Sequence, residues 1–312
     1  MRILVTGASG LLGSRVVSLA RERKHEVLAT YNANPVPGEE MERLDVTDTA
    51  AVFAVVRSFE PDAVVHAAAM TNVDECERNP DRAMAVNGRG TENLAMAARE
   101  LGAKMIYVST DYVFDGTKDS PYLEYEAPAP LSYYGHSKLR GELSVRNICS
   151  DYAIARTSVL YGWNAPGQHA NFATWVMGSL KKGERIKLAT DQLNSPTLVE
   201  DCAAALLRIV ELDARGIFHT CGRSCVSRHE FGLQIAREFG LDTGLITPAK
   251  ISELSWAARR PAMACLSVER TERELGMRFR TTQEGLALMR EQMDKGRVMA
   301  TQEGLAPEGT DG

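Results

Sequence analysis

A doubly wound parallel α/β sheet, followed by a smaller C-terminal lobe, is the fold this 312-residue chain predicts. Two observations carry that expectation. Short apolar runs alternate with helical patterns through the first half, the rhythm of parallel strands joined by crossover helices. The first run is followed at once by Gly7-Ala8-Ser9-Gly10-Leu11-Leu12-Gly13 and then by a helical pattern. Strand, glycine turn, helix is the setting a phosphate-binding turn requires.

The elements follow in order. Ile3 to Thr6 reads as the first strand, Leu11 to Arg23 as the first helix and Glu26 to Thr30 as the second strand. Thr47 to Phe59 is a helix with Asp48 placed to cap it, and Ala63 to Ala67 is a strand. Asp81 to Leu101 reads as one long helix stopped by Gly102. Lys104 to Ser109 is strand, Tyr133 to Arg146 helix and Tyr152 to Thr157 strand. Between them, Asp115 to Ser132 is rich in Pro, Gly and acidic residues and predicts a loop that covers the substrate, with a plain surface loop as the alternative.

After Tyr161 the elements mix less regularly. Helices are expected at Phe172 to Lys181, Val199 to Leu212, Arg228 to Phe239, Val268 to Leu275 and Thr282 to Lys295. Short strands are expected at Arg185 to Ala189 and Ile217 to Thr220. The division drawn is residues 1–160 for a dinucleotide-binding domain and 161–296 for a substrate lobe, some of whose elements rejoin the main sheet. Residues 297–312, with Gly304, Pro307 and Gly309, read as a mobile tail.

Bulk properties set limits on function. With 36 basic and 41 acidic residues the formal charge is −5, and no basic run suggests nucleic acid. No leader-like N-terminus and no membrane-length apolar stretch is found, so a cytoplasmic protein is expected. Cys76, Cys149, Cys202, Cys221, Cys225 and Cys265 are scattered without metal-ligand spacing and read as reduced thiols; no metal site is expected.

Right-handed crossovers place all the strand carboxyl ends on one edge, where ligands bind. The glycine turn, the segment Ala67, Ala68, Ala69 and Thr71, and Thr110 all fall at such ends. In the turn, Gly7 permits a tight bend, Gly10 lets backbone N–H groups reach a pyrophosphate, and Gly13 lets helix pack on strand. Leu11 and Leu12 open the helix, whose N-terminus supplies partial positive charge. Tyr134 and Lys138 lie four apart and share a helix face. A lysine cation beside a tyrosine favours the phenolate and brings its pKa toward neutrality, as an acid-base catalyst paired with hydride transfer needs. Thr110 is placed to hydrogen-bond the oxygen being reduced. His66 ends an apolar run and is assigned no chemistry.

The motif at 6–13, with Thr110 and Tyr134-x-x-x-Lys138, resembles the extended short-chain dehydrogenase/reductase superfamily, whose sheet is Rossmann-like. His66 to Asp74, Val86-Asn87, Ser109 to Gly116, Asp191 to Thr197 and Arg260-Pro261 narrow the resemblance to the dTDP-4-dehydrorhamnose reductase family, from residue 1 to about residue 290. It implies reduction of a nucleotide-linked 4-keto-6-deoxy sugar by a nicotinamide cofactor. Thr110, Tyr134 and Lys138 would be catalytic, and Lys138 would also hold the nicotinamide ribose. Thr71, Thr110, Asp111, Tyr112, Asn171 and Arg260 would meet the substrate. Asp45-Val46 matches the position near the adenine, and Asn87 matches a superfamily asparagine that anchors a proton-relay water; a capping carboxylate and a helix-surface amide are the other readings. Arg260 suits a diphosphate by its fork, or is a solvated arginine.

The second strand ends Thr30-Tyr31-Asn32, without the carboxylate that selects NAD and without an arginine. NADPH is favoured and NADH stays open. Two departures bear on the sugar: Val159 stands where the family carries a tryptophan, and Asn194 where it carries a glycine. Tyr112 replaces the glutamate that dehydratases place after the Asp. An epimerase or another extended-family reductase, and a non-catalytic regulatory subunit like that of methionine adenosyltransferase, are the competing readings. The partner expected is a nucleotide sugar, and a homodimer is compatible with the chain.

Overall fold

The computed structural model describes residues 1–165 and 167–302, with 297–302 as backbone alone. The first half runs β1 (Arg2–Thr6), α1 (Leu11–Glu22), β2 (Glu26–Tyr31), β3 (Glu42–Arg43), α2 (Thr49–Phe59), β4 (Ala63–His66), α3 (Val73–Arg78) and α4 (Pro80–Ala83). A π-helical turn, Met84–Arg89, leads into α5 (Gly90–Leu101), then β5 (Lys104–Thr110), a 3-10 turn at Asp111–Val113, α6 (Tyr133–Ile148) and β6 (Tyr152–Thr157). The remainder is β7 (Leu160–Tyr161), α7 (Phe172–Lys181), β8 (Ile186–Ala189), β9 (Leu193–Asn194), β10 (Thr197–Leu198), α8 (Val199–Glu211) and β11 (Gly216–His219). It closes with β12 (Val226–Ser227), α9 (Arg228–Glu238), β13 (Ile246–Ala249), α10 (Glu269–Leu275) and α11 (Thr282–Gln302).

Seven parallel strands form the main sheet in the order β11-β6-β5-β4-β1-β2-β3. The order reverses at β1, which leaves a crevice between the glycine turn and the end of β4. Side chains alternate between faces as a strand demands. Ile3, Val5, Ile106 and Val108 pack with α1 and α8, while Leu4, Val64, Met105 and Tyr107 pack with α2 and α5. A third core, including Tyr161, Val176, Leu188, Phe231 and Leu286, belongs to the C-terminal lobe. There the strands pair only two by two: β7 with β10, β8 with β13, β9 with β12. β11 instead joins the main sheet beside β6.

Several expectations need correction. The long helix expected from Asp81 is interrupted, because Met84–Arg89 widens into a π turn before α5 continues to Gly102 at φ 67°. Such turns are frequent at functional sites, and this one carries Asn87. The cysteines are not all reduced: Cys225 and Cys265 form a disulfide across 40 residues, and the other four are buried free thiols. Scattered spacing hides the pair because only the fold brings its Cα atoms to 5.5 Å. Of the tail expected over residues 297–312, residues 297–302 continue α11, and residues 303–312 lie outside the described ones. The loop after β5 is a strap. Tyr122 donates its hydroxyl to Asp115 Oδ1 (2.6 Å) and its N–H to the Cys265 carbonyl (2.9 Å), stacked on Phe114. Among the described residues of that loop, none lines the main cavity. No helix among the described residues is long and apolar enough to cross a membrane.

Candidate active site

A cavity of about 600 Å³ opens at the carboxyl edge of the sheet. One end is made of backbone. Gly7 sits at φ 69°, and a Cβ there would lie 2.6 Å from Ala68 N; a Cβ on Gly13 would fall on the Gly7 carbonyl. Both positions therefore accept only glycine. Gly10 differs, because a Cβ there would meet only Gly7 O, at 3.3 Å, so that glycine keeps space open rather than making the turn possible. Gly10 is also the N-cap of α1. It supplies no side-chain cap, and the first turn holds no acidic residue. By contrast α2, α3, α6, α7 and α9 are capped by Asp48, Asn72, Ser132, Asn171 and Ser227. An uncapped helix start at the wall of a cavity leaves its N–H groups for an anion, which fits a dinucleotide pyrophosphate. Leu11 and Leu12 line the cavity with these glycines.

From there the wall runs along strand ends. Tyr31, Asp45 and Val46 stand at one extreme, and Ala67, Ala68, Ala69 and Thr71 beside β4. The Asp45 carboxylate accepts hydrogen bonds from the Thr47 N–H (2.9 Å) and hydroxyl (2.7 Å), so it also shapes the turn before α2. The arginine that local sequence lacks near Asn32 comes from β3. Arg43 pairs with Tyr31 across the strands and donates from Nε to the Asn32 carbonyl at 3.2 Å.

The other end is made of side chains. Thr110, Asp111, Tyr112, Tyr134 and Lys138 all line the cavity, delivered by the end of β5, the turn after it and the first two turns of α6. A buried ion pair holds those two elements in register with β6: Arg156 Nε and Nη2 donate to Glu142 at 2.9 and 2.7 Å, and Ser109 Oγ donates to Glu142 Oε1 at 2.6 Å. Thr110 accepts from the Tyr112 N–H (3.2 Å) and donates to Asp111 Oδ1 (2.9 Å). Burial pushes the Asp111 carboxyl up against the pull of its Ser158 and Thr110 donors. Tyr112 packs edge-on against Tyr134, and its hydroxyl accepts from Gln192 Nε2 at 2.9 Å.

The electrostatics differ from the expected lysine-tuned phenolate. Lys138 is 3% exposed, its Nζ is 4.2 Å from the Tyr107 ring centroid, and burial pulls its pKa down to about 7 against the attraction of Glu142. Burial likewise pushes the Tyr134 phenol up, only partly opposed by the Thr110 hydroxyl. Without ligand, then, Tyr134 holds its proton, the state a proton donor needs. His66 is a neutral strut between Thr6 Oγ1 (2.7 Å) and Thr91 Oγ1 (3.0 Å), pushed by burial down to about 3.

Three expected site residues stand outside the cavity wall. Asn87 accepts from the Met70 N–H (2.8 Å) and donates to the Met70 carbonyl (3.0 Å) and Ser137 Oγ (2.9 Å). Its amide ties the Ala67–Thr71 segment to α6. Asn171 caps α7 and donates to Gly162 O at 2.7 Å and Asn164 Oδ1 at 3.0 Å. Arg260 is ion-paired with Asp74 at 3.0 Å and lies 4.0 Å over the Trp256 ring, although its buried Nη1 has no partner among the described residues.

Conversely, Ser158 and Arg228 line the cavity without a role expected from sequence, and Val159, which stands where the family carries a tryptophan, lines it with them. Val159 adopts φ 28°, an unusual conformation for a β-branched residue and a sign of stored strain at the cavity wall. Asn194 donates to Asp111 Oδ2 at 3.4 Å, and its buried Oδ1 has no partner among the described residues. Nothing near Arg228 in sequence marks it; β12 brings it to the cavity by pairing with β9.

The chain is similar to proteins of known family. The family described as RmlD substrate binding domain matches residues 1–295. The probable low-salt glycan biosynthesis reductase Agl14 of Haloferax volcanii is 38% identical, the match covering 93% of this chain and 97% of that protein. A dTDP-4-dehydrorhamnose reductase of Sinorhizobium fredii is 34% identical over 89% of this chain and 93% of its own length. The crystal structure of the Bacillus anthracis dTDP-4-dehydrorhamnose reductase in complex with NADP superposes with a TM-score of 0.84 at 30% identity, covering 93% of this chain and 99% of that one. With a family match over nearly its whole length, this chain belongs to the RmlD family, that of the dTDP-4-dehydrorhamnose reductases.

Proposed function

We propose that the chain is an NADPH-dependent reductase of a dTDP-linked 4-keto-6-deoxy sugar, converting dTDP-4-dehydrorhamnose to dTDP-L-rhamnose. The observation that carries the reading is one continuous cavity with an uncapped helix start at one end and Thr110, Tyr134 and Lys138 at the other. The 2′-phosphate of NADPH has no carboxylate to repel it at Tyr31-Asn32 and has the Arg43 guanidinium beside Asn32.

NADPH, when bound, supplies the hydride that adds to C4. Tyr134 gives its phenolic proton to the ketone oxygen, so that hydride plus proton turn C=O into CH–OH. Thr110 would turn its hydroxyl from Asp111 to the same oxygen. Lys138 would hold the nicotinamide ribose and, once charged there, stabilise the phenolate Tyr134 leaves behind until solvent reprotonates it. A homodimer and a cytoplasmic location belong to the same proposal, the second because NADPH and nucleotide sugars are made there; the Cys225–Cys265 bond would then have to resist a reducing poise.

A spectrophotometric assay of NADPH consumption with dTDP-4-dehydrorhamnose tests the reading. Stoichiometric formation of dTDP-L-rhamnose is expected. A protein that binds NADPH yet reduces no 4-keto sugar nucleotide would instead take the regulatory-subunit reading.

A further inference from the structure

Arg228 is the basic side chain of the cavity that the proposed chemistry leaves unused. Among the described residues lining that cavity, the basic ones are Lys138 and Arg228. Lys138 belongs to the face of Tyr134 on α6. Arg228 opens α9 on the side of the C-terminal lobe, where Ser158 and Val159 also form the wall.

Its position is prepared rather than incidental. Strand β12 pairs antiparallel with β9, Val226 opposite Asn194, and the Arg228 N–H donates to the Gln192 carbonyl at 3.2 Å. The guanidinium lies 4.9 Å over the ring of Phe172, which stacks on buried Phe231 at 5.5 Å. Stacking fixes the plane of the fork while leaving its N–H donors at the edge. Asp111 is the carboxyl that feels Arg228, yet its oxygens are taken up by Ser158, Thr110 and Asn194. Among the described residues no carboxylate lies within ion-pair distance of Arg228, whereas Arg260 is neutralised by Asp74.

A nucleotide-sugar substrate brings a second diphosphate into a cavity whose helix-start anion site serves the cofactor. A planar fork with no counter-ion is the group suited to receive it. We propose that Arg228, rather than Arg260, binds the diphosphate of the nucleotide-sugar substrate. The proposal rests on the reductase reading of the same cavity.

The test is binding of dTDP to the full chain saturated with NADP⁺, followed by calorimetry, in wild type, Arg228→Met, Arg228→Lys and Arg260→Met. Loss of one charged hydrogen-bonding partner should weaken dTDP roughly 10- to 100-fold in Arg228→Met. Arg228→Lys should recover part of the loss, because charge survives without the fork. Arg260→Met should stay within about twofold of wild type for dTDP. NADP⁺ affinity serves as the check on folding and should not move in either Arg228 variant; were Arg228→Met to lose it, Arg228→Lys alone would decide, with a full-strength dTDP site counting against the proposal. Wild-type dTDP affinity in a folded Arg228→Met overturns it, as does a loss confined to the sugar nucleotide with dTDP unaffected. A wild type that binds no dTDP sinks the nucleotide-sugar reading itself, and this inference with it.

Discussion

The two ends of the cavity are built from different material. At the glycine turn the wall is backbone: two glycines that tolerate no Cβ, a third that keeps space open, and a helix start without a cap. At the Tyr134 and Arg228 end the wall is side chain, gathered from β5, α6, the segment after β6 and the start of α9. A backbone site depends on a few adjacent residues and accepts any ligand with a pyrophosphate. A side-chain site depends on distant elements staying in register, and it can change specificity without changing the fold.

The largest effect should come from the glycines, and it should separate them. Gly13→Val drives a side chain into the Gly7 carbonyl and should cost more than about 4 kcal/mol, abolishing NADPH binding together with cooperative unfolding. Gly10→Val should leave the melting transition near that of wild type and remove binding alone. Equal destabilisation by both would show that the turn is one structural unit with no position reserved for ligand.

At the other end, Tyr134→Phe removes the hydroxyl and keeps the ring against Tyr112. Turnover should fall by about 10²–10⁴ with NADPH affinity unchanged. Retained turnover would place the proton donor elsewhere.

The disulfide tests whether the ends are independent. Cys225→Ser opens a loop of 40 residues and should destabilise the lobe by roughly 3–4 kcal/mol on the chain-entropy estimate, with NADP⁺ affinity within twofold. A matching fall in NADP⁺ affinity would make the two ends a single cooperative unit.

The smallest effect is a proton. Lys138 in the free protein titrates at about 7, below its ordinary 10.5. At pH 8 the amine is mostly neutral, and ribose and phosphate oxygens favour its charged form. NADP⁺ binding should therefore take up close to one proton at pH 8 and almost none at pH 6, measured by calorimetry in buffers of different ionisation enthalpy. Affinity should weaken as pH rises above about 7, and Lys138→Met should abolish the uptake. For folding the sign is separate: between about 7 and 10.5 the unfolded chain holds a proton on Lys138 that the folded chain lacks, so this group's contribution to stability rises with pH. Proton release on binding would refute the assignment of Lys138 to the ribose.

How much was legible in sequence follows the same division. β1, the glycine turn and α1 were readable because strand, turn and helix N-terminus are adjacent, and each glycine answers to a backbone distance. Tyr134 and Lys138 were readable as a pair by helical spacing, whereas their protonation was not: burial, which a sequence does not display, outweighs the mutual tuning that spacing suggests. Asn87, Asn171 and Arg260 were expected at the site from the family resemblance, and each holds a protein partner outside the cavity wall, which no sequence spacing displays. Arg43, which donates to the Asn32 carbonyl, and Arg228, which lines the cavity, were invisible because one lies in a two-residue strand and the other directly follows one, and such strands are too short to leave a periodic pattern.

By itself the sequence determined the alternation of strands and helices, the phosphate-binding turn and the helix face that pairs Tyr134 with Lys138, because each depends on backbone geometry repeating over a few residues. The tertiary structure alone decided the Cys225–Cys265 bond, the lowered pKa of the buried lysine and the raised one of the buried tyrosine, and the placement of Arg228 in the cavity wall. Those properties depend on which groups meet across many tens of residues and on how much water is left between them, and both are fixed only when the lobe packs on the edge of the sheet.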